Sequence, residues 1–161
     1  MLTSTDIALV RASFARIAAI EDLAADLFYD HLFAIAPNLR QLFAADLSEQ
    51  KKRLIQMIAT SVDGLDDLGT IIPAVKALGA RHVGYGVTAA HYAVTGEALL
   101  WTLEQGLGDA FTPEVRRAWA NVYGMLAATM QAGAAEVAEL RAAEWGAAEA
   151  APTSGWPVQI R

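Results

Sequence analysis

Five polar side chains stand at spacings that a helix would make chemically meaningful. His82 comes four residues after Leu78 and seven after Val75, in the run Leu78-Gly79-Ala80-Arg81-His82-Val83-Gly84-Tyr85-Gly86-Val87. A helix places all three on one apolar face. An imidazole leaving such a face is either a hydrogen-bonded core residue or a metal ligand, and the residues alone leave both open. Tyr29 lies two after Leu27 and four before Phe33, at the edge of an apolar arc, and reads as a core aromatic with its hydroxyl at the surface. Gln50 precedes Leu54 by four and shares its stripe, so its amide either finds an interior partner or folds out to solvent. Tyr92 faces inward on the helix that follows Thr88. Glu136, six after Met130, falls among apolar and alanine residues, where a carboxylate ordinarily stays exposed.

The elements that must carry these residues read as helices throughout. Thr3 to Asp6 offers caps for a helix marked by Ile7, Val10, Phe14 and Ile17. Glu21 and Asp22 open a second helix whose wide arc (Leu23, Leu27, Phe28, Leu32, Phe33, Ile35) places it deep in the fold. Pro37 ends it and starts a short piece closing on Phe43. A third helix, from about Leu47 to Asp63, carries Leu47, Leu54, Ile58 and Val62 in a core stripe that Leu65 continues. Thr70 is the expected cap of the helix bearing His82, with Pro73 in its first turn. Thr88 caps the next, which stops at Gly106-Leu107-Gly108. Thr112-Pro113-Glu114 starts a last helix running through Trp119, Val122, Tyr123, Leu126, Met130 and Val137 to about Ala143. From Ala147 the chain turns rich in Ala, Pro, Ser and Gly, so residues 1–145 read as one domain and 146–161 as a mobile tail whose Trp156 and Ile160 could dock.

Composition agrees: 55% of the 161 residues are hydrophobic, and no run of β-branched residues or alternating strand pattern occurs, so the class is all-α. A net charge of −6, with no basic cluster beyond Lys51-Lys52-Arg53, argues against nucleic acid and anionic membrane surfaces as partners. The absence of cysteine excludes disulfides, thiolate zinc sites and thiolate nucleophiles, and fits a cytoplasmic location. No secretion signal or membrane-length apolar run is found.

Helix order and residues together resemble the globin family, over about residues 5–140. The resemblance rests on Leu32-Phe33, Pro37 and Leu42-Phe43, on Leu78 to His82, on Thr95-Gly96-Glu97-Ala98-Leu99-Leu100, and on Phe111-Thr112-Pro113-Glu114 with Ala118-Trp119 and Val122-Tyr123-Gly124. It is strongest to bacterial single-domain globins related to flavohaemoglobins, including the high-oxygen-affinity globins of acidophilic methane oxidisers. The second half is also similar to neuroglobin.

That resemblance implies the globin fold, a three-over-three helical sandwich around haem b. It makes His82 the axial iron ligand, Phe43 the aromatic wedged against the porphyrin, Tyr29 and Gln50 the polar distal pair, and Leu54 the apolar distal residue. Tyr92 and Glu136 become a proximal network with His82, lending the imidazole imidazolate character. His91, next to Tyr92, falls near the haem edge, and His31 at the surface. The implied function is tight, reversible O₂ binding, with NO and CO as further ligands and hydrogen bonds from Tyr29 favouring O₂ over CO. NO dioxygenation or a peroxidase-like reaction with an external reductase is the alternative, and gas sensing a third. A monomer or weak homodimer is expected.

Overall fold

A computed structural model describes residues 1–148, and the side chains of residues 1–145. Trp156, Ile160 and most of the expected tail therefore lie outside the described residues. Six α-helices account for most of the rest: α1 (Ser4–Ala18), α2 (Glu21–Ile35), α3 (Ser48–Asp63), α4 (Leu68–Gly84), α5 (Ala89–Leu107) and α6 (Pro113–Ala148). Short 3-10 turns cover Pro37–Leu42, Gly64–Asp66 and Gly108–Ala110, and no strand occurs among the described residues. None of the described helices is long and apolar enough to cross a membrane.

Local chemistry sets most boundaries. Thr3 and Asp6 form a reciprocal capping box, each side chain bonded to the other's backbone N–H at 3.1 Å, and α1 starts there. Gly108 ends α5 by taking φ +55. Thr112 accepts from the Val115 N–H at the head of α6.

Two boundaries differ from expectation. Helix α4 begins at Leu68, because the Thr70 hydroxyl donates to the Asp67 carboxylate at 2.6 Å and draws Thr70 into the first turn instead of leaving it as the cap. Pro73 thus sits inside the helix; its missing N–H leaves the carbonyl of exposed Gly69 to solvent. Helix α6 continues through Ala148, past Ala143 and past the expected start of the tail.

The main core joins the two ends of the chain. Val10 and Ile17 of α1 pack with Leu103 of α5 and with Trp119 and Val122 of α6. Buried Trp119 donates its indole N–H to Ser13 Oγ at 2.8 Å, and that hydroxyl donates onward to the Leu9 carbonyl at 2.7 Å. A second cluster gathers Phe28, Tyr29 and Leu32 of α2, Leu39, and Ala98 of α5. The buried arc of α2 is narrower than its composition implies. It centres on Ala25, Phe28 and Leu32, and Leu23, on the opposite side, is 54% exposed.

Helix α4 packs chiefly on α6. Gly79 lies directly on the Met130 backbone and Gly133 on the Lys76 backbone, with no room for a Cβ at either. The two glycines let the helix axes approach closely, which fixes where α4 presents His82.

Candidate functional site

Tyr29 is 2% exposed, so its ring is core, as the sequence implies, but its hydroxyl is buried with it. Phe28 meets it edge-on at 5.0 Å between centroids, Phe33 lies at 5.9 Å, and Phe43 closes from another element at 5.7 Å. Phe43 reaches this place because Pro37 breaks α2 and the 3-10 turn hands the chain to an extended residue at φ −115. Leu54 of α3 packs on the same cluster. Burial pushes the Tyr29 phenol up to about 12, while the half-buried Gln50 side chain interacts with the hydroxyl and opposes that shift. Tyr29 is accordingly a neutral hydrogen-bond donor at any physiological pH. Tyr29, Phe43, Gln50 and Leu54 are thus brought to one place.

Next to them is a small apolar cavity of about 20 Å³, bordered by Phe28, Leu54, Ile58, Leu99 and Trp119 among others. It is large enough for one small molecule and offers it no polar partner.

His82 stands in the last turn of α4, half-buried, on the stripe of Ile71, Val75 and Leu78. Its Nδ1 lies 2.7 Å from the Leu78 carbonyl. A carbonyl only accepts, so Nδ1 carries the proton and the neutral ring keeps its lone pair on Nε2. After His82 the helix closes with the Tyr85 N–H donating to the His82 carbonyl at 3.0 Å, and Gly86 at φ +80 turns the chain away.

The proximal network does not assemble as expected. Glu136 is an exposed residue whose carboxylate pairs with Lys76 at 2.6 Å and makes no hydrogen bond to Tyr92 or His82. The physical reason is the cost of burying a carboxylate, which a surface ammonium on the facing helix avoids. Tyr92 is half-buried, its phenol raised by that burial, and its backbone carbonyl accepts from the Tyr123 hydroxyl. Gly96 makes that bond sterically feasible, since a Cβ there would sit 2.5 Å from the Tyr123 ring.

The other two histidines are elsewhere employed. His91 accepts from the Thr88 N–H at 3.0 Å and completes the cap of α5, which is the role its spacing from Thr88 dictates. His31 is half-buried rather than at the surface, stacked on Trp101 at 4.0 Å with the rings 3° from parallel. Arg40, whose guanidinium donates to the carbonyls of Ala44 and Ala45 at 2.8 and 2.9 Å beside the Tyr29 cluster, gave no signal in the sequence, because an arginine in a short turn reads as a surface cation.

The donor set fits a haem. Among the described residues no three His, Asp or Glu side chains cluster, so a bare ion would lack ligands. A porphyrin brings four donors of its own and needs one neutral nitrogen from the protein, which the tautomer of His82 would leave available on Nε2. The aromatic and aliphatic wall of Phe43 and Leu54 suits the faces of a flat macrocycle.

Comparison with known proteins points the same way. The Globin family model matches residues 26–130. The flavohemoprotein of Bacillus subtilis is 36% identical over 105 residues, covering 62% of this chain but 26% of that protein. This chain therefore spans about a quarter of the length of the flavohemoproteins it matches. The neuroglobin of Tetraodon nigroviridis is 29% identical over 88% of this chain and 98% of its own. Among solved structures, an engineered carbene transferase, described as a candidate nitric oxide dioxygenase from Rhodothermus marinus, superposes with a TM-score of 0.79 at 25% identity. That match covers 88% of this chain and 99% of the other.

Proposed function

We propose that this chain, which belongs to the globin family and binds haem b, takes up O₂ reversibly and releases it slowly. When bound, the haem would supply an iron able to take a diatomic gas. His82 would hold it through Nε2, with Leu78 fixing the ring's tautomer. Tyr29 and Gln50 would serve as hydrogen-bond donors to the polarised gas. Phe28, Phe43 and Leu54 keep water from competing for those donors. In a dry pocket each such bond is worth about 1–2 kcal/mol, roughly a tenfold change per 1.4 kcal/mol. The gain falls mainly on the release rate. Because bound CO is less polar, the same donors favour O₂ over CO.

The observation that carries this reading is the Tyr29 phenol, 2% exposed, packed with Phe43 and Leu54 and set beside Gln50. A buried donor of that kind is costly unless a ligand or neighbour uses it. The test is the absorption spectrum of the purified protein, reduced without air and then exposed to it. A spectrum of the oxygenated form lasting many minutes supports the reading. Rapid, complete reversal under a stream of inert gas would overturn slow release.

A second reading, NO dioxygenation, is favoured by the likeness to flavohemoproteins and to the candidate nitric oxide dioxygenase. The same distal donors would orient O₂ for attack by NO, and repeated turnover would draw electrons from an external reductase. An NO pulse on the oxygenated protein, with nitrate assayed, decides whether that chemistry is available.

A further inference from the structure

We propose that Arg40 is a positioning residue for the distal site, acting as a clamp on the loop that carries Phe43 and leads to Gln50. Its guanidinium lies over the Phe33 ring, 5.4 Å from the centroid. From there Nη1 donates to the Ala44 carbonyl at 2.8 Å and, at a longer 3.4 Å, to that of Phe43, while Nη2 donates to the Ala45 carbonyl at 2.9 Å. One side chain therefore satisfies three consecutive carbonyls that no helix or strand would bond.

The clamp acts in two directions. Phe33, under the guanidinium, packs edge-on against Phe43 at 5.5 Å, and Phe43 packs on Tyr29. On the other side, Asp46 follows the clamped carbonyls and accepts from the Ser48 N–H and hydroxyl at 2.9 and 2.6 Å. That contact lies at the entry to α3, the helix of Gln50 and Leu54. Arg40 thus ties the α2 aromatics to the loop that leads into α3. A planar fork with several donors and a stackable face suits this task, and a lysine ammonium does not.

The role rests on Tyr29, Gln50 and Phe43 forming the distal pocket, and the test separates the two ideas. Arg40→Ala and Arg40→Lys would be compared with the parent, all loaded with haem. Amide hydrogen exchange is followed segment by segment, ferric haem transfer to an excess of acceptor apoglobin is timed, and the infrared C–O band of the CO-treated protein is recorded. Arg40→Ala should speed exchange at residues 43–50 while leaving α1 and α6 unchanged. It should also speed haem transfer about tenfold, the size of one lost charge-assisted hydrogen bond, and shift or split the C–O band. Arg40→Lys should restore none of these fully. Unchanged exchange at 43–50 in Arg40→Ala, a uniform rise along the whole chain, or complete rescue by lysine would each overturn the clamp. A clamp confirmed by exchange with an unmoved C–O band would instead overturn its link to the distal pocket. Failure of the parent to take up haem would sink the functional reading, while exchange at 43–50 would still decide the clamp.

Discussion

The Nδ1–H of His82 is donated to the carbonyl of Leu78, one turn earlier on the same helix, at 2.7 Å. The acceptor is part of the helix backbone, so it cannot swing away as a carboxylate could. It fixes the ring's tautomer without adding negative charge.

Replacing His82 by Gly should strip the protein of its axial nitrogen while leaving a space of imidazole shape. Haem retention should fall by more than the roughly 10–100-fold typical of losing a supporting partner. Imidazole added to solution should restore the parent's absorption spectrum. A haem-loaded His82→Gly protein with the parent spectrum in plain buffer would refute the assignment.

Tyr29→Phe removes one donor and little volume, so the pocket should keep its shape. The O₂ release rate, measured by stopped flow, should rise about tenfold or more, with CO release nearly unmoved. Gln50→Leu should have a smaller effect of the same sign. The double variant should fall short of the product of the two, because Gln50 and the Tyr29 hydroxyl interact.

Alkaline pH should unfold the protein in a recognisable window. Tyr29 ionises near the ordinary value of about 10 in the unfolded chain, but only at about 12 when folded. Tyr123 and Tyr92 are raised in the same direction by burial. The unfolded state loses its protons first, so these groups leave stability intact below about pH 10 and erode it as pH climbs toward 12. Urea midpoints taken between pH 8 and pH 11.5 should be flat up to about 9.5 and then fall. Tyr29→Phe should flatten part of that fall.

Glu136→Ala tests the proximal role that the family resemblance implies for that residue. Because its carboxylate pairs with Lys76 in solvent, its loss should cost under about 1 kcal/mol. The Fe–His stretching frequency of the reduced protein should stay where it was. A clear downshift in that band would instead show that Glu136 reaches the proximal side when haem is bound.

The helices could be read from residues because the relevant signals are local: Pro37, Thr88, Thr112 and Gly108 act on their own backbone neighbours. The distal set of Tyr29, Phe43, Gln50 and Leu54 was legible only through the family resemblance, because residue spacing alone left Tyr29 a core aromatic and Gln50 undecided between interior and solvent. The failures involve choices between helices. Glu136 sits on an ambiguous face of α6, and only the position of Lys76 on α4 decides where its carboxylate goes. Thr70 has the chemistry of a cap, yet Asp67 outcompetes it. Arg40 looks like any surface cation until the three carbonyls are seen to converge on it.

The seat of α4 on α6 has a consequence for how the protein is made. Gly133 and Met130, which receive α4, come late in the chain, as does Trp119, which locks α1 to α6 through Ser13. On the ribosome, the segment bearing His82 emerges well before α6, the helix it chiefly packs on. The nascent chain therefore has its distal aromatics early and His82 still without its main support, so firm haem retention is expected only once α6 has been made and has closed on both α1 and α4.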